Sequence, residues 1–205
     1  MLPLALGDRH DFLIINALAR RTPEWHTVAV GYASLGVVAF GVLLVTGYLL
    51  ARRSGQALCV ARSLLAGLGV LVAVAVNQPI VHAVGEARPF QQLPGVLVLV
   101  HRSADASFPS DHAVMAGAAA VGLLHVSRRL GLIGCVGALL MAFDRVYVGA
   151  HFPLDVLAGL AVGGCVAALT QLLGRPLAAA LERVRPGCRL RPPGARTGLG
   201  LRRPG

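Results

Sequence analysis

Lysine is absent from this chain: all 19 of its basic residues are arginine, a bias that GC-rich codon usage accounts for. Charge of any kind is scarce. Only 14% of the 205 residues are charged against 56% hydrophobic, which excludes an ordinary soluble domain. Cysteine is sparse and scattered, at Cys59, Cys135, Cys165 and Cys188. That spacing supports neither a disulfide framework nor a thiolate metal site, so these read as small core residues. No internal repeat is present, which removes the usual basis for a transporter built from inverted halves. A net charge of +10 would point to nucleic acid in a soluble protein. Here its placement argues otherwise.

What is present is long apolar sequence. Residues 25–51, 63–85 and 156–174 contain no Asp, Glu or Arg. A bilayer span needs roughly 20 apolar residues, so each is long enough to cross. Two shorter stretches, 112–127 and 130–143, are borderline. The expected fold is therefore all-α: a polytopic membrane helical bundle with spans near 26–50, 60–83, 112–127, 130–148 and 154–174. Asp8, Arg9 and Asp11 break the first apolar run, so the opening residues do not read as a cleavable signal. Residues 8–21 are expected instead to form an amphipathic helix in the membrane surface.

Arg52, Arg53, Arg62, Arg128 and Arg129 flank two of the loops, and eight arginines follow residue 174. Under the positive-inside rule these regions are cytoplasmic. Five crossings then place residues 1–25, the loop 84–111 and the turn 145–153 outside, together with every acidic residue except Glu182. The membrane domain is read as 1–174. Residues 175–205, rich in Arg, Pro and Gly, are read as a disordered cytoplasmic tail able to touch anionic headgroups. The segment PGVLVLV (94–100) is too short to cross and reads as re-entrant or interfacial.

Polar residues gather in three segments on the outer side: GEARPF (85–90), SADASFPSDH (103–112) and DRVYVGAHFPLD (144–155). Ionisable groups beside membrane spans are functional candidates by default. Arg88 and Arg145 offer planar charged forks suited to phosphate oxygens. Ser110 falls where a helix begins, and the free N–H groups there attract an anion. His112 follows in the first turn. His151 precedes the last helix, with Pro153 suited to its first position, and Asp155 lies four residues after the histidine. A carboxylate so placed can orient an imidazole and leave its other nitrogen free to attack. Taken singly, each feature has a plainer reading: Ser110-Asp111 as a cap, Asp155 as a favourable charge at a helix start, Asp144-Arg145 as a local ion pair.

Together these residues match a known pattern. The chain resembles the type 2 phosphatidic acid phosphatase superfamily, marked by Lys-x6-Arg-Pro, Pro-Ser-x-His and Ser-Arg-x5-His-x3-Asp. Arg88-Pro89 matches the end of the first motif, Pro109-Ser110-Asp111-His112 the second, and Arg145, His151 and Asp155 the third. Two positions depart: the first-motif Lys falls at Val81 and the third-motif Ser at Asp144. His82 or Arg102 is a candidate to replace the missing cation. The Asp of PSDH, with the flanking SADASF and VYVGAHFPLDV, is most similar to bacitracin-resistance-type undecaprenyl-diphosphate phosphatases.

The resemblance implies a membrane enzyme acting on a lipid phosphate at the outer face of the bacterial plasma membrane. It implies His151 as nucleophile, Asp155 as its partner and His112 as general acid. Arg88, Ser110 and Arg145 would hold the phosphoryl group. No cofactor and no metal is expected, since the arginines supply the positive charge and no carboxylate cluster is evident. The implied partners are the lipid substrate and the bilayer, not nucleic acid. Undecaprenyl diphosphate is the leading substrate; phosphatidylglycerol phosphate, phosphatidic acid or another polyprenyl phosphate stays open, as does an inactive membrane scaffold.

Overall fold

The structure is a computed structural model that describes residues 3–184. Among the described residues its regular elements are all helices: α1 (Pro3–Arg21), α2 (His26–Ser54), α3 (Ala57–Val84), α4 (Pro89–Gln92), α5 (Asp111–Leu124), α6 (Arg128–Tyr147), α7 (Pro153–Gln171) and α8 (Gly174–Val184). One 3₁₀ turn, Pro23–Trp25, joins α1 to α2. Among the described residues, four segments are long and apolar enough to cross a membrane: Pro23–Ser54, Ala57–Gln92, Arg128–Tyr147 and Pro153–Gln171. Their outward side chains are aliphatic, with Leu35, Val38, Leu71, Leu139 and Leu169 each more than 60% exposed. Such a surface is stable only against lipid tails, and the protein is a multi-pass membrane bundle.

The expected span at 112–127 is α5, and it differs from the rest. It has only 14 residues, about 21 Å of helix, against a hydrocarbon core of roughly 30 Å. It is also sheathed by its neighbours. Ala113, Val114, Ala116, Ala118, Ala119 and Leu123 are each no more than 1% exposed, packed among α3, α6 and α7. Between helices in a membrane, close packing replaces the hydrophobic drive, and small residues permit it. The α5–α7 seam depends on this. A Cβ at Gly117 would lie 2.6 Å from the Leu160 carbonyl oxygen, one at Gly159 would lie 2.7 Å from that of Ser110, and one at Gly163 would strike that of Val114. The backbone N–H of Ser110 donates to the carbonyl of Asp155 at 3.1 Å. The starts of α5 and α7 are thus fixed against each other.

Two glycines with positive φ shape the loops beside this junction. Gly85, at φ 59°, ends α3 and releases the chain toward Arg88. Gly149, at φ 78°, lets the α6–α7 turn pass directly under the Leu97 carbonyl. The segment 94–100 crosses nothing. It runs without helix over that turn, with Leu99 N–H donating to Val148 O at 3.0 Å and Asn16 bonded to both backbone groups of Leu97.

Helix α8 begins at the boundary expected at 174. Gly174–Val184 is helical and not an irregular tail. Leu177, Ala178 and Leu181 form one helical face, and that face packs on Ala57, Leu58 and Ala61 of α3. Pro176 sits in the first turn, where its missing N–H costs nothing. The short apolar stripe is hard to read amid so much Arg, Pro and Gly. The rest of the expected tail, 185–205, lies outside the described residues.

Candidate active site

At one end of the bundle the C-termini of α3 and α6 meet the N-termini of α5 and α7. They enclose a polar cavity of about 620 Å³, lined among others by Val81, His82, Arg88, His101, Asp111, His112, Arg145 and His151. Three separated segments of sequence therefore converge, as their residue types suggest.

His151 is held on both ring nitrogens. It is 3% exposed, in the turn between α6 and α7. Its Nδ1 lies 2.9 Å from the Ser107 carbonyl oxygen and 3.5 Å from Asp155 Oδ2. Its Nε2 faces Arg88 Nη1 at 3.2 Å. A guanidinium can only donate, and a carbonyl can only accept. The proton is therefore on Nδ1, donated to Ser107, and Nε2 is unprotonated, its lone pair accepting from Arg88 at the cavity. Burial, reinforced by the Arg145 and Arg88 charges, holds the imidazole well below its ordinary pKa of 6.5, so it is neutral at pH 7.

Asp155 is fully buried at the start of α7. Its Oδ2 accepts the Ser107 hydroxyl proton and the Phe152 N–H, the latter at 2.8 Å. Asp155 thus reaches His151 at long range, while Ser107 touches both. Ser107 was not singled out by the sequence. Its signal was its place in the polar run 103–112, and its stronger contact uses a backbone carbonyl, which no residue type encodes.

The phosphate-binding candidates have the character an anion needs. Arg88 Nε donates to Asp105 O at 2.9 Å, fixing the fork with Nη1 toward His151. Arg145 is 7% exposed, and its Nε has no partner. Ser110 occupies the N-cap position of α5, but its hydroxyl caps nothing; its Oγ is fully buried and unpartnered. Buried donors left unsatisfied are uncommon; Arg145 lines the polar cavity, and Ser110 lies between two lining residues, Pro109 and Asp111. Asp144 and Arg145 make no ion-pair contact within 4 Å, although their opposite charges act on each other. Arg145 lines the polar cavity, whereas Asp144 lines an apolar groove with Trp25, Tyr32 and Tyr147.

Val81 lines the cavity, so the wall offers no cation there. His82 and His101 also line it. Arg102 instead stacks 5.7 Å over the Phe90 ring and is not among the lining residues. Sequence reasoning also missed the clamp on Asp111, whose Oδ1 accepts Asn77 Nδ2 at 2.8 Å and Gln78 Nε2 at 3.1 Å.

His151, a second histidine, His112, and two arginine forks, Arg88 and Arg145, thus line one polar cavity. The PAP2 superfamily model matches residues 62–178, and the chain belongs to that superfamily. It is 30% identical to undecaprenyl-diphosphatase BcrC of Bacillus subtilis (strain 168), over 74% of this chain and 76% of that one. It is 32% identical to putative undecaprenyl-diphosphatase YbjG of Escherichia coli (strain K12), over 81% and 84%. The fold is similar to the crystal structure of a transmembrane PAP2-type phosphatidylglycerolphosphate phosphatase from Bacillus subtilis. That match has TM-score 0.62 and 22% identity, covering 86% of this chain and 88% of the other.

Proposed function

We propose that this protein hydrolyses a lipid-linked diphosphate, undecaprenyl diphosphate foremost, to the lipid monophosphate and inorganic phosphate through a phosphohistidine. That the protein is a membrane lipid phosphatase follows from its superfamily and from relatives named for that activity. The observation that carries the finer reading is the unprotonated Nε2 of His151 facing Arg88 at the polar cavity.

In this mechanism Nε2 attacks the terminal phosphorus in line. The bond from that phosphorus to the bridging oxygen breaks, and His112, whose pKa burial and Arg145 lower to about 4 and which takes up a proton beside the anionic headgroup, gives that proton to the departing lipid phosphate. The Nδ1 proton stays on His151, shared with Ser107 O, while Asp155 balances the imidazolium charge that develops. Arg88, Arg145 and the Ser110 hydroxyl hold the equatorial oxygens, where most of the rate of such reactions arises. Water then attacks the phosphohistidine and gives its proton to His112; the P–N bond breaks and phosphate leaves. No step calls on a metal. The bundle surface is aliphatic, so the lipid chain stays in the bilayer while its headgroup enters from one end.

That end is assigned to the outer face of the plasma membrane. The arginine-flanked turns, Arg52-Arg53 and Arg128-Arg129, lie at the opposite end of α2 and α6 from the cavity. Reporter fusions at residue 55 and at the C-terminus should both read cytoplasmic. Either one reading external would overturn the orientation and leave the chemistry to be judged separately.

A further inference from the structure

The first turn of α7 carries Asp155, yet α7 does not cap itself from its N-cap position. Phe152 stands there and has no side-chain acceptor to offer. The N–H of Leu154 is satisfied from far away: it donates to Asp8 Oδ1, on α1, at 2.8 Å. Asp8 is one of a row. Asp8, Phe12, Asn16 and Ala19 share a face of α1 at helical spacing, and the last three are each no more than 2% exposed. Phe12 packs edge-on against Phe152, the residue after His151, with ring centroids 5.4 Å apart. Asn16 donates to Leu97 O at 2.8 Å and accepts from Leu97 N–H at 3.0 Å. Leu97 in turn lies over Gly149. The turn that bears His151 is therefore gripped between α1 and the segment 94–100.

On other faces of α1, Leu13, Ile14 and Leu18 are 47%, 56% and 44% exposed. A helix with one row glued to the bundle and apolar side chains open beside it is suited to lie in the bilayer surface.

We propose that Asp8 is a positioning residue for the nucleophile, holding the start of α7, and with it Asp155 and His151, in register from the interfacial helix. The inference rests on the reading of His151 given above. Asp8 touches neither substrate nor the reacting atoms, so its removal acts on kcat and leaves KM in place. A small misplacement of a nucleophile is costly, and Asp8→Ala is expected to lower kcat for undecaprenyl diphosphate in detergent roughly tenfold.

The test is a four-part comparison on purified full-length protein. Asp8→Asn keeps an Oδ1 acceptor and is expected to restore most of the rate. Leu154→Pro removes the donor at a position where a helix tolerates proline, and is expected to lower kcat as Asp8→Ala does. Combining Asp8→Ala with Leu154→Pro should cost no more than either alone, because both delete the same bond. The Leu154→Pro arm also keeps the test informative should Asp8→Ala fail to fold. His151→Ala serves as the control on the chemistry. Activity surviving in His151→Ala would overturn the functional reading and this inference with it. Activity lost in His151→Ala but unchanged in Asp8→Ala, or additive losses in the double variant, would overturn the positioning role alone.

Discussion

His151→Ala is expected to lower phosphate release by on the order of 10⁴-fold or more, the scale seen when a covalent nucleophile is removed. The reason is local. Nε2 is the unprotonated nitrogen of His151, and its direction is fixed by Ser107 on one side and Arg88 on the other. The same geometry predicts a pH profile. The attacking form is neutral imidazole, so the acidic limb of kcat/KM rises with pH through the pKa of His151, and the basic limb falls as the general acid His112 loses its proton. Burial and the two arginines lower that pKa from 6.5, so the acidic limb governed by this residue lies below the range of an ordinary histidine. A brief pulse of lipid diphosphate labelled in its terminal phosphate should leave acid-labile, base-stable label on wild-type protein and none on His151→Ala. Label retained by the variant would remove His151 from the reaction.

The second large effect is expected at His112. It lies in the first turn of α5 and lines the cavity with His151 and Arg145. A general acid contributes roughly 10²- to 10⁴-fold, and its contribution shrinks as the leaving group becomes able to depart without a proton. His112→Ala should therefore lose about that factor on a lipid phosphate monoester, whose leaving alkoxide is strongly basic. It should lose far less on an activated aryl phosphate. His151→Ala should fail on both substrates. Equal losses on the two substrates in His112→Ala would argue that the residue binds phosphate and does not protonate.

The two histidines were legible in the sequence for the same reason that parts of their surroundings were not. His112 and His151 sit within short motifs whose spacing survives as helix geometry: Ser110 and His112 at the start of α5, His151 and Asp155 one turn apart at the start of α7. Arg88 and Arg145 were legible as permanent charges beside apolar runs. Ser107 was not, because it acts through its carbonyl as much as through its hydroxyl. Asp8 was not, because its partner is the backbone of Leu154 and no side-chain pattern connects them. The spans were legible from the length of the uncharged runs. The depth of α5 was not, since its alanines and glycines suit a lipid-facing helix by composition and are buried only because α3, α6 and α7 close around them. Helix α8 was obscured by its context, as three small or aliphatic contacts on α3 outweigh a composition that suggests irregular chain.

The departures from the superfamily pattern fit the same physical picture. Val81 leaves one wall of the cavity without a permanent charge, and His82 and His101 stand beside it. Asp144 occupies a serine position of the motif but lines the apolar groove and not the polar cavity, so the motif reads through to Arg145 without it.

The measurement that tests the account most directly is phosphate release by the purified protein from undecaprenyl diphosphate, beside phosphatidylglycerol phosphate and phosphatidic acid, with His151→Ala in parallel. The account predicts preference for the diphosphate and loss of that activity in the variant. Preference for a glycerolipid would contradict the assigned substrate, and release that does not depend on His151 would contradict the mechanism itself.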